Sequence, residues 1–305
     1  MTSGTLEINR RAFMTSMVAG GLTAGVNARS PENSISGQLN EIELSRNPLL
    51  WTVAWSNTAA EFGALCHQAF NLARLRVDEA MEKHSRSERP LAVVTDVDNT
   101  IVHAGSYWSF LISEGVDFFD DEIWDRWIPE NLIALVPGAM DFLKYCEYHG
   151  VEIFYVTNRD QGPRTYSYAL NQLQYLNLPY SDSEHLVVFR ESSDKTSARE
   201  RIGESHELIL LLGDNLNDFK RDYYVADVEE RRALMERDRA EIGDKFIILP
   251  NATDGHWVRA IFGESEPAAT DENRLKLLAA ATRGAWIGAR SCLLYTSDAA
   301  DEVSW

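Results

Sequence analysis

The sequence predicts an α/β protein with a doubly wound, mainly parallel sheet. Five short apolar runs, rich in β-branched residues, suit strands that are covered on both faces, as parallel strands are. The runs are 91–95, 151–156, 186–189, 208–212 and 245–249. Helical patterns lie between them, near 138–149, 163–176, 194–203 and 227–241. Strands that alternate with helices are typical of an open sheet with helices on both faces.

Two segments stand outside this alternation. Over residues 48–81, apolar side chains recur at helical spacing, and Asn57-Thr58 falls where one helix would give way to the next. The stretch of about 102–136, after the first strand, is too long for an ordinary strand-to-helix loop and carries many aromatic and acidic residues. We therefore expect N-terminal helices and a small, aromatic-rich cap inserted after the first strand.

The N-terminal residues 1–28 are predicted to be an export signal. Arg10-Arg11 precede a weakly apolar run over 12–26, and Val26-Asn27-Ala28 offers a small-residue cleavage site, which is typical of a twin-arginine signal. The run is too short and too polar to span a bilayer, and no cysteine near its end offers a lipid anchor. The prediction is an exported protein, periplasmic or secreted, without a stable membrane anchor.

The rest of the chain divides by composition and period. The predicted segments are a linker over 29–44, an N-terminal helical segment over 45–88, the α/β domain over 89–264 and a C-terminal helical tail over 265–290. The last stretch, 291–305, has no helical or strand period and resembles translated sequencing-adaptor sequence. We expect that stretch to be non-native.

The composition of the chain limits the kinds of molecule that it is expected to bind. The 305 residues carry a formal net charge of −18, which disfavours polymeric nucleic acid because its binding depends on Lys and Arg. A small anionic substrate remains compatible when a metal ion reverses the field inside one cleft. The three cysteines, Cys66, Cys146 and Cys292, lack metal-ligand spacing, so a zinc site is not expected. Cys66 and Cys146 are expected as buried thiols or as a single disulfide, and the sequence leaves both open.

Polar side chains follow four of the five predicted strands. These segments are Asp96-Val97-Asp98-Asn99-Thr100, Thr157-Asn158-Arg159-Asp160, a helix start at Lys195, and Gly213-Asp214-Asn215-Leu216-Asn217-Asp218. Ligands of open α/β sheets bind at the carboxyl ends of the strands, so we expect these groups to share one site.

The residue types suit phosphoryl transfer, which needs a nucleophile, a proton donor and counter-charge. Asp96 is the predicted nucleophile, which would form an aspartyl phosphate. Asp98, two residues on in an extended segment, points the same way and suits the general acid and base. Thr157 offers a hydroxyl and a backbone N–H to a phosphate oxygen, and Lys195 offers a positive charge.

The remaining carboxylates suit a metal ion. Asp96 and Asp214 would place oxygens around Mg²⁺, a hard ion that binds few carboxylates together with water and phosphate oxygens. Asp218 would support this shell directly or through water. The alternative for Asp218 is a plain helix N-cap.

The four motifs, in this order, resemble those of the haloacid dehalogenase (HAD) superfamily of phosphatases. Further segments resemble the class C, lipoprotein-type bacterial acid phosphatases: 56–62, 68–73, 136–139, 155–160, 212–216 and 246–251. The similarity covers about residues 45–262. It implies a HAD-like Rossmannoid fold and a magnesium-dependent acid phosphatase that hydrolyses small phosphomonoesters, such as nucleoside 5′-monophosphates. It also implies the backbone carbonyl of Asp98 as a metal ligand.

The chain departs from that family at two points. The family usually has Glu at the position of Asn99, and it is commonly lipid-anchored, whereas the lipidated cysteine is missing here. The required groups are intact, so the implied chemistry stands, and the export signal favours a soluble exported form. The family forms dimers, so a homodimer is one expectation that the sequence cannot derive.

The substrate candidates are Asn158, Arg159, Tyr107 and Trp108. Arg159 would bind phosphate or pair with Asp160, and the aromatic side chains of the insert, including Trp124 and Trp127, would form a core or stack on a base. Three alternative functions stay open: a narrower sugar-phosphate or nicotinamide-nucleotide phosphatase, a phosphotransferase of the same fold, and a non-enzyme binding protein. The intact motifs argue against the last.

Overall fold

The structure is a computed structural model that describes residues 43–85 and 89–286. The predicted export signal 1–28, the linker up to residue 42 and the tail 291–305 lie outside the described residues and stay predictions. Within the described ranges, no helix has the length and apolar character needed to span a membrane.

Five parallel strands form the central sheet. The strands in the part of the chain that the structure describes are β1 Leu91–Thr95, β2 Val102–His103, β3 Ala134–Leu135, β4 Glu152–Asn158, β5 Leu186–Phe189, β6 Glu207–Gly213 and β7 Phe246–Ile248. The sheet has the order β5-β4-β1-β6-β7, and every neighbouring pair is parallel. The predicted α/β class is confirmed, and the five predicted runs coincide with these five strands.

Helices cover both faces of the sheet. The α-helices of the described residues are α1 Leu50–Thr58, α2 Ala60–Lys83, α3 Gly105–Ser113, α4 Asp121–Trp127, α5 Ala139–Tyr148, α6 Thr165–Tyr175, α7 Thr196–Ser205, α8 Val228–Arg237, α9 Trp257–Phe262 and α10 Asp271–Ala281, and not all of them pack on the sheet. Along the central strand β1, Val93 belongs to the core that includes α2, α5 and α6, whereas Ala92 and Val94 belong to the core that includes α7. Because both faces of β1 are covered, apolar side chains follow one another along it, and the strand is a continuous apolar run in the sequence.

The N-terminal helices pack on the sheet through α2. The chain turns from α1 into α2 at Ala59, which is extended, one residue beyond the predicted break. The buried face of α2 repeats every three to four residues through Phe62, Cys66, Phe70, Ala73 and Val77. Burial of each large apolar side chain contributes roughly 1.5–3 kcal/mol.

Cys66 and Cys146 are both buried and both free. Of the two states that the sequence left open, the structure has the thiols. Burial raises the pKa of Cys66 to about 11 and that of Cys146 to about 12, so both remain protonated near neutral pH.

The predicted insert begins and ends on two short strands. β2 and β3 pair antiparallel, Val102 with Leu135 and His103 with Ala134, and so close the base of the insert. Its helices α3 and α4 bury their aromatic side chains together; the rings of Tyr107 and Trp124 lie edge to face, 4.9 Å apart. The insert thus builds most of a small aromatic core, to which Val53 of α1 also contributes.

Candidate active site

The carboxyl edge of the sheet opens into a cavity of about 170 Å³. The ends of β1, β4 and β6 and the start of α7 supply many of the polar groups that line it, and the segment after β7 supplies others. From the predicted strand-end segments, the lining includes Asp96, Asp98, Asn99, Thr157, Asn158, Lys195, Asp214, Asn215 and Asp218. Parallel packing therefore gathers side chains that lie far apart in the sequence.

Asp96 and Lys195 face each other in this cavity. The backbone N–H of Asp96 donates to the carbonyl of Leu212 at 2.9 Å, which extends the pairing of β1 with β6 and fixes the position of Asp96. The Lys195 ammonium donates to Asp96 and, at 2.7 Å, to Asp218. These three side chains are at most 10% exposed, so water screens their charges weakly.

Burial and charge set the protonation of this pair. Burial raises the pKa of Asp96 to about 7, although the Lys195 charge opposes the rise. Burial alone would lower the pKa of Lys195, but the charges of Asp218 and Asp96 raise it above its ordinary value. Lys195 therefore stays protonated at neutral pH, and it lies beside a carboxyl group that ionises near neutral pH.

Asp214 lies beside Asp96 and is held by two donors. Thr100 Oγ1 donates to Asp214 Oδ1 at 3.2 Å, and Asn251 Nδ2 donates to Asp214 Oδ2 at 2.7 Å. Burial, followed by the negative charges of Asp218 and Asp96, raises the pKa of Asp214 well above its usual range. A cation among these carboxylates would offset that cost.

Asp218 is fixed by the turn in which it lies. Asn215 is the N-cap of the 3₁₀ helix Leu216–Asp218, and Oδ2 of Asp218 accepts the backbone N–H of Asn215 at 3.0 Å in a capping box. Gly213 permits this approach, because a Cβ at that residue would lie 2.4 Å from the same oxygen. Asp218 is thus the reciprocal residue of the box, and the alternative role of a plain N-cap belongs to Asn215.

The three carboxylates form a group that fits a hard cation. Ligand oxygens of Asp96, Asp214 and Asp218 lie within 4.8 Å of one another. An all-oxygen donor set suits Mg²⁺ or a similar divalent ion. The residues that would hold the ion are therefore these three, and the raised pKa values of Asp96 and Asp214 fit a site built for added positive charge.

Asp98 is held by Arg159. The guanidinium donates from Nε to Oδ2 of Asp98 at 2.7 Å and from Nη2 to Oδ1 at 2.6 Å, a bidentate pair. Thr157 Oγ1 donates to the same Oδ2 at 3.4 Å. Of the two predicted roles for Arg159, pairing with Asp160 does not occur, since Asp160 binds Arg190 at 2.8 Å instead.

A buried chain of hydrogen bonds continues from Arg159 to the insert. Its Nη1 donates to Gln172 Oε1 at 2.7 Å, and Gln172 Nε2 donates to the backbone carbonyl of Ile128 at 2.8 Å. Gln172 belongs to α6, and Ile128 follows α4 in the insert. The orientation of Asp98 is therefore tied to the insert through two buried side chains.

Two predicted substrate residues lie in the core of the insert. Tyr107 is fully buried; its hydroxyl donates to the carbonyl of Asp120 at 3.0 Å and accepts the N–H of Asp120 at 2.9 Å. Trp108 is also buried, and neither side chain lines the cavity. Asn158 does line it. Other aromatic side chains of the insert, Phe119 and Trp124, reach the cavity in their place.

Several other cavity residues were not predicted as site residues. Besides Trp124, whose role as a core or a stacking residue the sequence left open, the lining includes Phe119, Ser193, Asp254, Gly255, His256, Ser265 and Glu266. Asp254 and His256 follow β7, the one strand whose polar continuation the sequence analysis did not use. The same strand-end argument, applied to β7, would have found them.

The buried His256 should make the stability of the protein sensitive to acid. Burial lowers its pKa to about 4, below the ordinary value of 6.5. The unfolded chain therefore binds this proton first, so its contribution to stability is present above pH 6.5 and is lost as the pH falls toward 4. We expect the free energy of unfolding, measured by denaturant titration, to fall by up to about 3 kcal/mol across this window. In His256→Asn this fall should be smaller.

The matched control is His149→Asn, because His149 is exposed. That variant should keep the wild-type dependence of unfolding free energy on pH. An equal acid dependence in the wild type and in His256→Asn would contradict the prediction.

The fold and the site define a phosphomonoesterase of the haloacid dehalogenase superfamily. Residues 38–257 match the family model for HAD superfamily, subfamily IIIB (acid phosphatase). The chain belongs to this family, which confirms the resemblance seen in its four motifs.

Solved structures of the same kind are similar over most of the chain. The class C acid phosphatase from Bacillus anthracis is 29% identical, with a TM-score of 0.71, over 77% of this chain and 97% of that one. A second structure, of the class C acid phosphatase from Bacillus anthracis with tungstate bound, is 28% identical, with a TM-score of 0.70. The match covers 79% of this chain and 97% of that one.

Proposed function

We propose that this acid phosphatase uses Mg²⁺ to hydrolyse small phosphomonoesters, with nucleoside 5′-monophosphates as substrates, through a phosphorylated Asp96. The observation that carries the proposal is the contact of Asp96 with Lys195 in a cavity that also holds Asp98. A nucleophile, a fixed cation and a proton carrier are then within reach of one phosphate group.

In the first step, an oxygen of Asp96 attacks phosphorus, and the bond from phosphorus to the leaving oxygen breaks. Asp98 in its acid form gives its proton to that oxygen, so the product leaves as a neutral alcohol. Lys195 and the Thr157 hydroxyl balance the charge on the phosphoryl oxygens.

In the second step, water attacks the phosphorus of the aspartyl phosphate. Asp98, now a carboxylate, takes a proton from this water, and the bond from phosphorus to Asp96 breaks. Inorganic phosphate leaves, and both carboxyl groups return to their starting states. A bound Mg²⁺ would supply positive charge to the phosphate oxygens.

The leaving group would lie against the aromatic part of the cavity. Phe119 and Trp124 present rings there, and an aromatic face stacks on any nucleobase. The second Bacillus anthracis structure has tungstate bound, and tungstate is an oxyanion like phosphate. Tungstate is therefore a convenient competitive probe for this site.

The test is phosphate release by the full chain from a nucleoside 5′-monophosphate and from glycerol phosphate, with Mg²⁺ and with chelator. We expect release that chelator abolishes and added Mg²⁺ restores. In Phe119→Ala, kcat/KM for the nucleotide should fall about 5- to 100-fold, as one lost stacking contact predicts. For glycerol phosphate, which has no base, kcat/KM should stay within about twofold.

Phe110→Ala is the matched control, because Phe110 is on the same insert but is 45% exposed and does not line the cavity. Equal losses on both substrates in Phe119→Ala would reject the nucleotide assignment. Phosphate release that is unchanged in the presence of chelator would reject the proposed need for Mg²⁺.

A further inference from the structure

Asp254 receives three hydrogen bonds on a single oxygen. Its Oδ1 accepts from Asn99 Nδ2 at 3.0 Å, from Asn251 Nδ2 at 2.8 Å and from Thr253 Oγ1 at 2.9 Å. Oδ1 is therefore a shared acceptor for two segments, the loop after β1 and the loop after β7. Asp254 itself lines the catalytic cavity.

Asn99, the donor from the β1 loop, has an unusual backbone conformation. Asn99 is buried and has φ of 56°, in the left-handed region that Asn and Asp tolerate better than most residues. It lies between the two functional residues Asp98 and Thr100. The bond from Asn99 to Asp254 thus fixes the loop that presents the nucleophile and the acid.

The donor from the β7 loop contacts a metal ligand. The amide nitrogen of Asn251 donates to Asp254 and also, at 2.7 Å, to Oδ2 of Asp214. Oδ1 of Asn251 accepts the backbone N–H of Thr253 at 2.9 Å, so the amide cannot turn freely. A continuous path therefore runs from Asn99 through Asp254 and Asn251 to Asp214.

We propose that Asp254 is a positioning residue that links the β1 loop to the metal ligand Asp214, and that residue 99 must be an amide because it faces this carboxylate. A carboxylate at residue 99 would meet a like charge in a partly buried site and would supply no donor. Asn99 and Asp254 are therefore a matched pair, which gives a physical reason for Asn where the resembled family usually has Glu.

Isosteric swaps test the pair. Asn99→Asp keeps the shape and tolerates the same backbone conformation but places two carboxylates together. We expect kcat to fall about 10- to 100-fold, KM to change less, and the Mg²⁺ concentration that gives half-maximal thermal stabilisation to rise. The double variant Asn99→Asp/Asp254→Asn restores one carboxylate and one amide, and should recover at least about tenfold of the lost kcat.

Asn177→Asp is the control, because Asn177 has φ of 52° and is exposed. It should match the wild type in kcat and in Mg²⁺ response. The proposal is overturned if Asn99→Asp behaves like Asn177→Asp, or if the double variant is no more active than Asn99→Asp alone. The kinetic readout rests on the proposed phosphate release, whereas the thermal shift rests only on binding of Mg²⁺, so a wild type without phosphatase activity would be recognised separately.

Discussion

Replacement of Asp96 by Asn should reduce phosphate release by about 10⁴-fold or more. The amide keeps the size of the side chain but is a poor nucleophile, so no phosphorylated protein can form. The direct measurement is an acid quench of the enzyme with a substrate labelled in its phosphate: the wild type should retain label on the protein, and the variant should not. Wild-type protein that carries no label, despite rapid turnover, would contradict the covalent route.

Loss of folding would not explain the Asp96→Asn result. The carboxyl of Asp96 has a folded pKa of about 7, above its ordinary value of 3.8, so its contribution to stability is present below pH 4 and is lost as the pH rises through 7. At pH 8 the metal-free variant should therefore unfold at or above the wild-type temperature. Asp160→Asn makes the same chemical change at an exposed residue that pairs with Arg190, and its activity should stay within about twofold of wild type.

Replacement of Arg159 by Lys should lower kcat/KM about 10²-fold or more on substrates with a poor leaving group. Lysine keeps the charge but cannot make the two parallel bonds that hold Asp98. An alkyl phosphate needs the proton from Asp98, whereas nitrophenyl phosphate releases a stable anion and needs it much less. Because kcat/KM depends only on the steps up to departure of the leaving group, its ratio on the two substrates reports on Asp98 as the acid.

Arg190→Lys is the matched control for this prediction, because Arg190 also pairs with a carboxylate but is about half exposed. It should leave the substrate ratio unchanged. Equal losses on both substrates in Arg159→Lys would indicate general damage to the site instead of a misplaced acid. Thermal unfolding of the variant separates these outcomes from simple loss of structure, since Arg159 is buried.

The sheet and the four motifs could be predicted because each depends on local pattern. A strand covered on both faces is a continuous apolar run, and the polar residue at its end must lie at the carboxyl edge. The pairing of Asp98 with Arg159 could not be predicted in this way. It depends on the register of β1 with β4, in which Thr95 pairs with Tyr155. Asp98 and Arg159 lie three and four residues beyond that pair.

The aromatic residues of the insert show a second limit of sequence pattern. Tyr107, Trp108 and Leu111 share the buried side of α3, which the helical period is able to indicate. Phe119 follows α3 in a segment without secondary structure, where no period applies. Its contribution to the cavity depends on how the insert packs on the sheet, and composition does not encode that packing.

Lys195 gives the protein a counter-ion of its own. Its ammonium contacts two of the three carboxylates that would hold the metal, so part of their repulsion is already balanced by the polypeptide. We therefore expect the metal-free chain to be able to fold, and a divalent ion to raise its stability further.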